Sequence, residues 1–546
     1  MFTARTVEGC KVDIVMPPKE RQYLEQDVIN DGQGIDALYE ALGNTQVQNA
    51  KSSVESDRLA ILNKVESDVG FQALNNEVNN LLRGWMQGAL AQLVETRENT
   101  NDEKCVDFCN RIGIILSKNG ESNAAMKLYE TALAICDTVL GENHIATAAT
   151  YNNIGSVLDL MGDYEGALAK YEEALAINLS ALGKTHPDVA TTFKNIGLVL
   201  DKMGDYEGAL AKYKEALVIQ ESALGKNHPH AALTYNNIGL VMMKMGNYDG
   251  ALTKYKVVLA IRLSALGKDH PDVATSHNNI GNGLYAKGEY EWALSKYKEA
   301  LAIRLSVLGK NHHDVASSYN NIGNVLYAKG DYECALYKYK EALAIEEAVL
   351  KKIHPDVARS YNNIGLVMMK MQDHEGALSN HKKALAIRLS TLGKNHPSVA
   401  TTNNNIGCVL QEINDCEGAL SNYQEALAIQ LSVLDKDHPD VASSYNNIGL
   451  VMQNMGDYDE ALLKFEVCLG ILVDLLGKDH PDVATACGNI GSVLWSKGDF
   501  EGALSSYKEA LEIRLPALGK NHPDVTTTYN NIGSVLYSMG DYNGAC

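Results

Sequence analysis

Residues 150–205 read TYNNIGSVLDLMGDYEGALAKYEEALAINLSALGKTHPDVATTFKNIGLVLDKMGD, and the second part of this stretch begins to repeat the first after forty-two residues. The glycine of its YNNIG element returns as Gly113, Gly155, Gly197, Gly239, Gly281, Gly323, Gly365, Gly407, Gly449, Gly491 and Gly533, with no slip in the spacing. A period of this length marks one supersecondary unit that cannot bury its own apolar face and must stack on its neighbours. Eleven copies without an insertion predict a solenoid. Function is therefore to be sought along an extended surface rather than in one pocket.

Each unit reads as two helices. Pro187 lacks a backbone N–H and suits a first helical position, and Asp188 follows where the helix dipole favours negative charge. Helix A is thus predicted from His186-Pro187 to Met203, with Gly204 as the left-handed residue after it and Asp205 as the cap of the next helix. Helix B should run from Tyr206 to Leu224 and stop at Gly225. Ile196, Val199, Leu200 and Met203 in helix A, and Leu210, Tyr213, Leu217 and Ile219 in helix B, follow the spacing of a buried stripe.

The small and aromatic residues at fixed offsets resemble the tetratricopeptide repeat: Tyr151, Ile154, Gly155, Leu158, Ala167, Tyr171 and Ala174, with Pro187 ahead of the next helix. The forty-two-residue length, the long helix B and the LGKTHPDVA linker are similar to the kinesin light chain variety of that repeat. The resemblance covers roughly residues 103–546. It implies an all-α, right-handed α-solenoid of tandem helix-turn-helix repeats, ten complete and an eleventh truncated. It also implies that Gly155 and Ala167 are small because helices A and B cross there, and that Tyr171 fills the gap to the next unit.

The formal net charge of −20 argues against nonspecific nucleic-acid binding, which needs a basic face. The ten cysteines are scattered, with no CxxC pair, as buried thiols of a reducing compartment would be. No signal peptide and no run of eighteen apolar residues is found. These features predict a soluble cytoplasmic protein without membrane insertion. Residues 1–102 stand outside the repeat: CKVDIVMPP (Cys10–Pro18) reads as a short strand, and ERQYLEQDVI, DRLAILNKV and FQALNNEVNNLLRGWMQGALAQLVET read as helices. Trp85, Leu81, Leu82 and Leu90 would pack this region onto the first repeat as a cap; the alternative is the remaining end of another domain. At the other end the chain stops at Cys546, six residues into an expected helix B, so helix A from Pro523 to Met539 is either a cap or the mark of an incomplete product.

Ten histidines recur at His144, His186, His228, His270, His312, His354, His396, His438, His480 and His522, one at each helix A start. A full repeat separates them, so neighbours should not converge on one ion at the approximately 2 Å that metal bonds demand. Helix capping is the expected role. GKNH and GKDH end one helix rather than cradle an anion before the next, and no Ser-His-Asp or paired-carboxylate set rises above the repeating background. The chain is expected not to be an enzyme and to carry no cofactor and no metal.

Asn153, Asn195, Asn237, Asn279, Asn321, Asn363, Asn405, Asn447, Asn489 and Asn531 form an unbroken series in helix A, usually preceded by a second asparagine. Asparagine is a mediocre helix residue, so the series needs a reason. Hydrogen bonding between stacked helices is one; a ladder of amides offered to an extended peptide is the other. Four residues past each landmark glycine the sequence varies: Asp159, Asp201, Met243, Tyr285, Tyr327, Met369, Gln411, Gln453, Trp495 and Tyr537, with Lys202, Lys244 and Lys370 one place later. These should share a face with the asparagines, either as rim residues or as anchors. Tyr285 and Tyr327, with Asn282 and Asn324 a turn before them and Lys244 and Lys370 flanking the pair, are expected to face the groove and to suit an acidic peptide with an aromatic anchor.

The resemblance places helix A along a concave groove, with this asparagine contributing to peptide binding in some members. The function expected is a protein-binding scaffold or adaptor holding extended peptide segments, as in the kinesin light chain cargo-binding domain. A kinesin heavy chain as partner lacks support from heptads in residues 1–102. The alternative is the sensor part of a multidomain signalling enzyme or immune-type receptor whose effector domain is absent or reduced.

Overall fold

The computed structural model describes residues 103–541 except 119, 142 and 351, residue 544, and the backbone of 3–7 and 11–15. The helices and cap expected within 16–102 lie outside the described residues. The strand expected between Cys10 and Pro18 is β2 (Lys11–Val15), which pairs antiparallel with β1 (Thr3–Val7), Arg5 opposite Asp13. This hairpin lies outside the repeat region, which is all-α. Its β-branched content, TARTV and KVDIV, favours extended backbone.

From residue 103 onward, twenty-one α-helices alternate as A and B among the described residues. They fall into two compact units, Met1–Ala265 and Leu266–Cys546. The first holds Glu103–Lys118 with Ser122–Ile135, Ile145–Met161 with Tyr164–Leu182, Pro187–Met203 with Tyr206–Leu224, and Pro229–Lys244 with Tyr248–Leu266 at its boundary. A π-helical turn, Cys136–Leu140, extends the first helix B. The second unit holds Pro271–Ala286 with Tyr290–Leu308, His313–Ala328 with Tyr332–Val349, Pro355–Lys370 with His374–Leu392, Pro397–Glu412 with Cys416–Val433, Pro439–Met455 with Tyr458–Leu476, Pro481–Lys497 with Phe500–Leu518, and helix A Pro523–Ser538. Each unit is an α-solenoid: helix A packs on its own B, and B on the A that follows.

Local chemistry sets these boundaries. In the third repeat His186 Nδ1 accepts the Asp188 N–H at 3.3 Å, and Pro187 begins the helix. Gly204, at φ +85°, lets the chain reverse while Asp205 N–H reaches back to Leu200 O at 2.9 Å. Asp205 then accepts from Gly208 N–H at 2.9 Å and starts helix B. The predicted boundaries of both helices are those observed.

The core lies where helix A meets helix B. A Cβ on Gly197 would stand 2.8 Å from the Tyr213 ring, and one on Gly323 2.6 Å from that of Tyr339. The same tyrosine then packs on the next helix A: Tyr171 with Ile196 and Val199, Tyr339 with Ile364 and Val367. Met203, expected in the buried stripe, is exposed as the last residue of its helix. The cysteines follow expectation in the main: Cys105, Cys109, Cys136, Cys468 and Cys487 are buried, while Cys334 is exposed.

Helix B also buries a polar column that patterning did not reveal. Asn178 donates to Thr192 (3.3 Å), Thr234 to Gln220 (2.8 Å), Arg304 to Ser318 (2.8 Å), and Ser444 to Gln430 (2.7 Å), each pair fourteen residues apart. Between the ninth and tenth repeats both partners turn apolar together, to Leu472 and Ala486.

Candidate protein-binding face

The paired asparagines of helix A divide their tasks. The second of each pair donates Nδ2 back to the previous repeat: Asn153 to Asn110 Oδ1 (3.2 Å), Asn321 to Asn278 (2.7 Å), Asn405 to Asn362 (2.9 Å) and Asn489 to Asn446 (2.8 Å), always 43 residues away. The first reaches forward 40 residues: Asn152 to Thr192 (3.1 Å), Asn320 to Ser360 (3.1 Å) and Asn404 to Ser444 (3.3 Å). For Asn153, Asn321 and Asn405 the stacking role therefore accounts for the amide nitrogen. Asn279 is also engaged. Asn195, Asn237 and Asn363 make no such bond among the described residues.

The cations separate likewise. Lys202 Nζ lies 2.7 Å from Asp159 Oδ1, and Lys244 Nζ 2.8 Å from Asp201 Oδ1, again 43 residues apart. Neither is the free cationic edge that its position suggested; an aspartate four residues past the preceding glycine neutralises each. Lys370 occupies the same place one residue on from Met369, but 43 residues before it stands Tyr327. It is exposed and has no carboxylate partner among the described residues.

Tyr285 and Tyr327 sit on adjacent helices A of the second unit. Each ring lies 5.6 Å from a tyrosine of its own helix B, Tyr290 and Tyr332 respectively. Both are half-buried, Tyr285 against the Ala293, Tyr297, Ile322 and Val325 cluster and Tyr327 against Tyr339 and Val367. They therefore contribute to the core as well as the surface. Burial pushes both phenols up, and it also raises that of Tyr339, with smaller contributions from the hydroxyls of Tyr285 and Tyr327. Beside them Asn282 Oδ1 accepts from Tyr297 Oη at 2.7 Å, and Asn324 Oδ1 from Tyr339 Oη at 2.7 Å. Each amide is thereby fixed by its oxygen, and its Nδ2 has no acceptor among the described residues.

All ten recurrent histidines accept a backbone N–H two residues on, at 3.1–3.3 Å through Nδ1, so this nitrogen is committed to capping. Among the described residues no group of three or more His, Cys, Asp or Glu is placed to hold a metal ion. No described helix is long and apolar enough to cross a membrane. Lys194 was missed by the reading of the sequence. Its signal is the third repeat's KN in place of NN.

Stacked helix pairs define a repeat scaffold for protein interactions. The family model of the tetratricopeptide repeat matches the chain in nine segments, from 109–180 to 482–545. The chain belongs to the tetratricopeptide repeat family. Among solved structures it is similar to BtubC (BKLC) from P. vanneervenii, at 24% identity over 42% of this chain and 92% of that one, with a TM-score of 0.37. A Podosopora anserina putative kinesin light chain with nearly identical TPR-like repeats aligns at 20% identity, covering 38% and 99%, TM-score 0.34. The apo form of RapI aligns at 16%, covering 52% and 97%, TM-score 0.41. No curated protein matches the chain.

Proposed function

We propose that the chain is an adaptor that holds an extended acidic peptide carrying an aromatic residue, and that its main binding face lies on the fifth to seventh repeats. One observation carries this reading. Tyr285 and Tyr327 stand in register beside amides whose nitrogens have no acceptor, Asn282 and Asn324, and near them Lys370 lacks the aspartate that neutralises Lys202 and Lys244. Half-buried tyrosines supply a rigid apolar ledge, the amide nitrogens donate to peptide carbonyls, and the lysine attracts acidic side chains.

Selection of random twelve-residue peptides on the full chain tests it. Enriched sequences should combine Asp or Glu with Trp, Tyr or Phe. Binding of the best peptide should weaken by about thirtyfold, roughly 2 kcal/mol, when Tyr285 and Tyr327 are both replaced by alanine. Lys370→Ala should mainly slow association and flatten its salt dependence. Enrichment of basic peptides, or unchanged affinity in both variants, would place binding elsewhere.

A further inference from the structure

Two charged substitutions meet at one boundary of the second unit. The sixth helix B, Tyr332–Val349, buries Glu346 where Asn178, Gln220, Arg304 and Gln430 stand in other repeats, and the seventh helix A, Pro355–Lys370, carries Arg359 where threonine or serine is usual. No other repeat has an acid at the first place, or a lysine or arginine at the second. Arg359 Nη2 lies 3.9 Å from Glu346 Oε1, across the boundary, and 3.0 Å from Asp356 Oδ1, one turn back on its own helix. The guanidinium is therefore bonded to Asp356 and stops short of Glu346.

The surroundings of Glu346 suit a carboxyl that keeps its proton. It is fully buried, Oε1 accepts from Asn320 Nδ2 of the sixth helix A at 3.0 Å, Ser360 of the seventh shares the contact, and Oε2 has no partner among the described residues. Glu347, beside it on helix B, is held by Tyr361 Oη at 2.6 Å. Burial raises the Glu346 pKa to about 7, with Asp356 adding to it and Ser360, Arg359 and Asn320 opposing. Loss of the proton leaves a charge in the interior, which is costly without a counter-ion. Arg359, with 48% of its side chain exposed, is the cation at hand. Asp356 can release it cheaply: its side chain reaches solvent, and His313 Nε2 (3.8 Å) and His354 Nδ1 (3.5 Å) approach its other oxygen.

We propose that Arg359 is a proton-governed latch between the sixth and seventh repeats: while Glu346 is protonated it holds Asp356 within its own helix, and when that carboxyl ionises it moves onto Glu346. An ion pair inside one helix is thereby exchanged for one that joins two repeats. The new pair offsets part of the cost of the buried charge without cancelling it. The latch stands on the contacts of Glu346 and Arg359 and does not rest on the peptide reading, although the same two repeats carry Tyr327 and Lys370.

The test follows the full chain by NMR across the neutral range, reading the side-chain carboxyl 13C of Glu346 and the 15Nε of Arg359, assigned by their loss in Glu346→Gln and Arg359→Thr. The two signals should move together with one shared midpoint at about pH 7. In Glu346→Gln, which copies Gln220 and Gln430, the Arg359 signal should lose most of its movement. A movement that persists there would trace to His313 and His354 acting on Asp356 and would overturn the proposal. In Arg359→Thr, which copies Thr191 and Thr401, the Glu346 midpoint should rise by about one unit, since an opposite charge at this range lowers a carboxyl pKa by about that much or more. Both replacements are residues of sister repeats, so helical content should match the parent. An Arg359 signal that stays still while Glu346 titrates, a Glu346 midpoint unmoved by Arg359→Thr, or a Glu346 already ionised at about pH 5, near the ordinary range of its side chain, would each overturn the latch.

Discussion

At the place in helix B where other repeats bury Asn178, Gln220, Arg304, Arg388 and Gln430, the sixth repeat buries Glu346. Its carboxyl accepts from Asn320 Nδ2 at 3.0 Å, faces Ser360, meets Arg359 only at 3.9 Å, and has Asp356 as a second acid nearby; Oε2 has no partner. Burial pushes its pKa up to about 7, against the pull of Ser360, Arg359 and Asn320. An unfolded glutamate titrates near about 4.3. Between roughly that value and pH 7 the folded chain binds the extra proton, so stability is fullest in acid, falls as pH rises through this window, and stays lower above it. Glu346→Gln should match the parent near pH 4 and exceed it near pH 8 by up to about 3 kcal/mol. Urea titrations at both pH values check this, and identical pH dependence in the two proteins would refute it. A second residue is strained by backbone rather than charge. Gln372 takes the left-handed conformation, φ 64°, that glycine supplies in most repeats. Gln372→Gly should stabilise by about 1 kcal/mol; an unchanged or lowered midpoint would contradict that.

Helices were legible because their punctuation is local: a histidine and proline at one end of helix A, a glycine and aspartate at the other. Rungs were not, because their partners lie 40 or 43 residues apart, and only the fold brings them within 3 Å or so. The Lys202 and Asp159 pair could have been found by sliding one repeat against the next with an offset of one. Tyr285 and Tyr327 lie on the helices A expected of them, but their packing against the following repeat was not legible, since a one-helix pattern does not show how far that repeat covers them. The polar column offers a test at this scale. Gln430→Leu should cost about 1 to 3 kcal/mol by leaving the buried Ser444 hydroxyl without its acceptor. Adding Ser444→Ala, which copies the Leu472 and Ala486 of the next repeat, should recover part of that loss. A denaturant-based double-mutant cycle with purely additive costs would show that the two side chains do not act as a pair.

Over the whole molecule, stability is built from neighbouring contacts repeated many times, and a local fault should stay local. Gly323→Leu forces a side chain into the Tyr339 ring and should cost about 1 to 3 kcal/mol or more. Hydrogen exchange should then lose protection in His313–Ala328 and Tyr332–Val349 while Pro187–Met203 keeps it. Uniform loss along the chain, or none, would argue against this picture. The one-residue offset of the amide rungs carries a further consequence, for inheritance. Because each rung joins a residue to the one just before its counterpart in the adjoining copy, excising or duplicating forty-two codons within the second unit, for instance those for residues 397–438, brings the same two residue types together across the new junction. Recombination between near-identical copies can therefore lengthen or shorten the array while keeping an asparagine at both ends of the junction's rung. Sister genes should differ by whole multiples of forty-two codons far more often than by any other in-frame change.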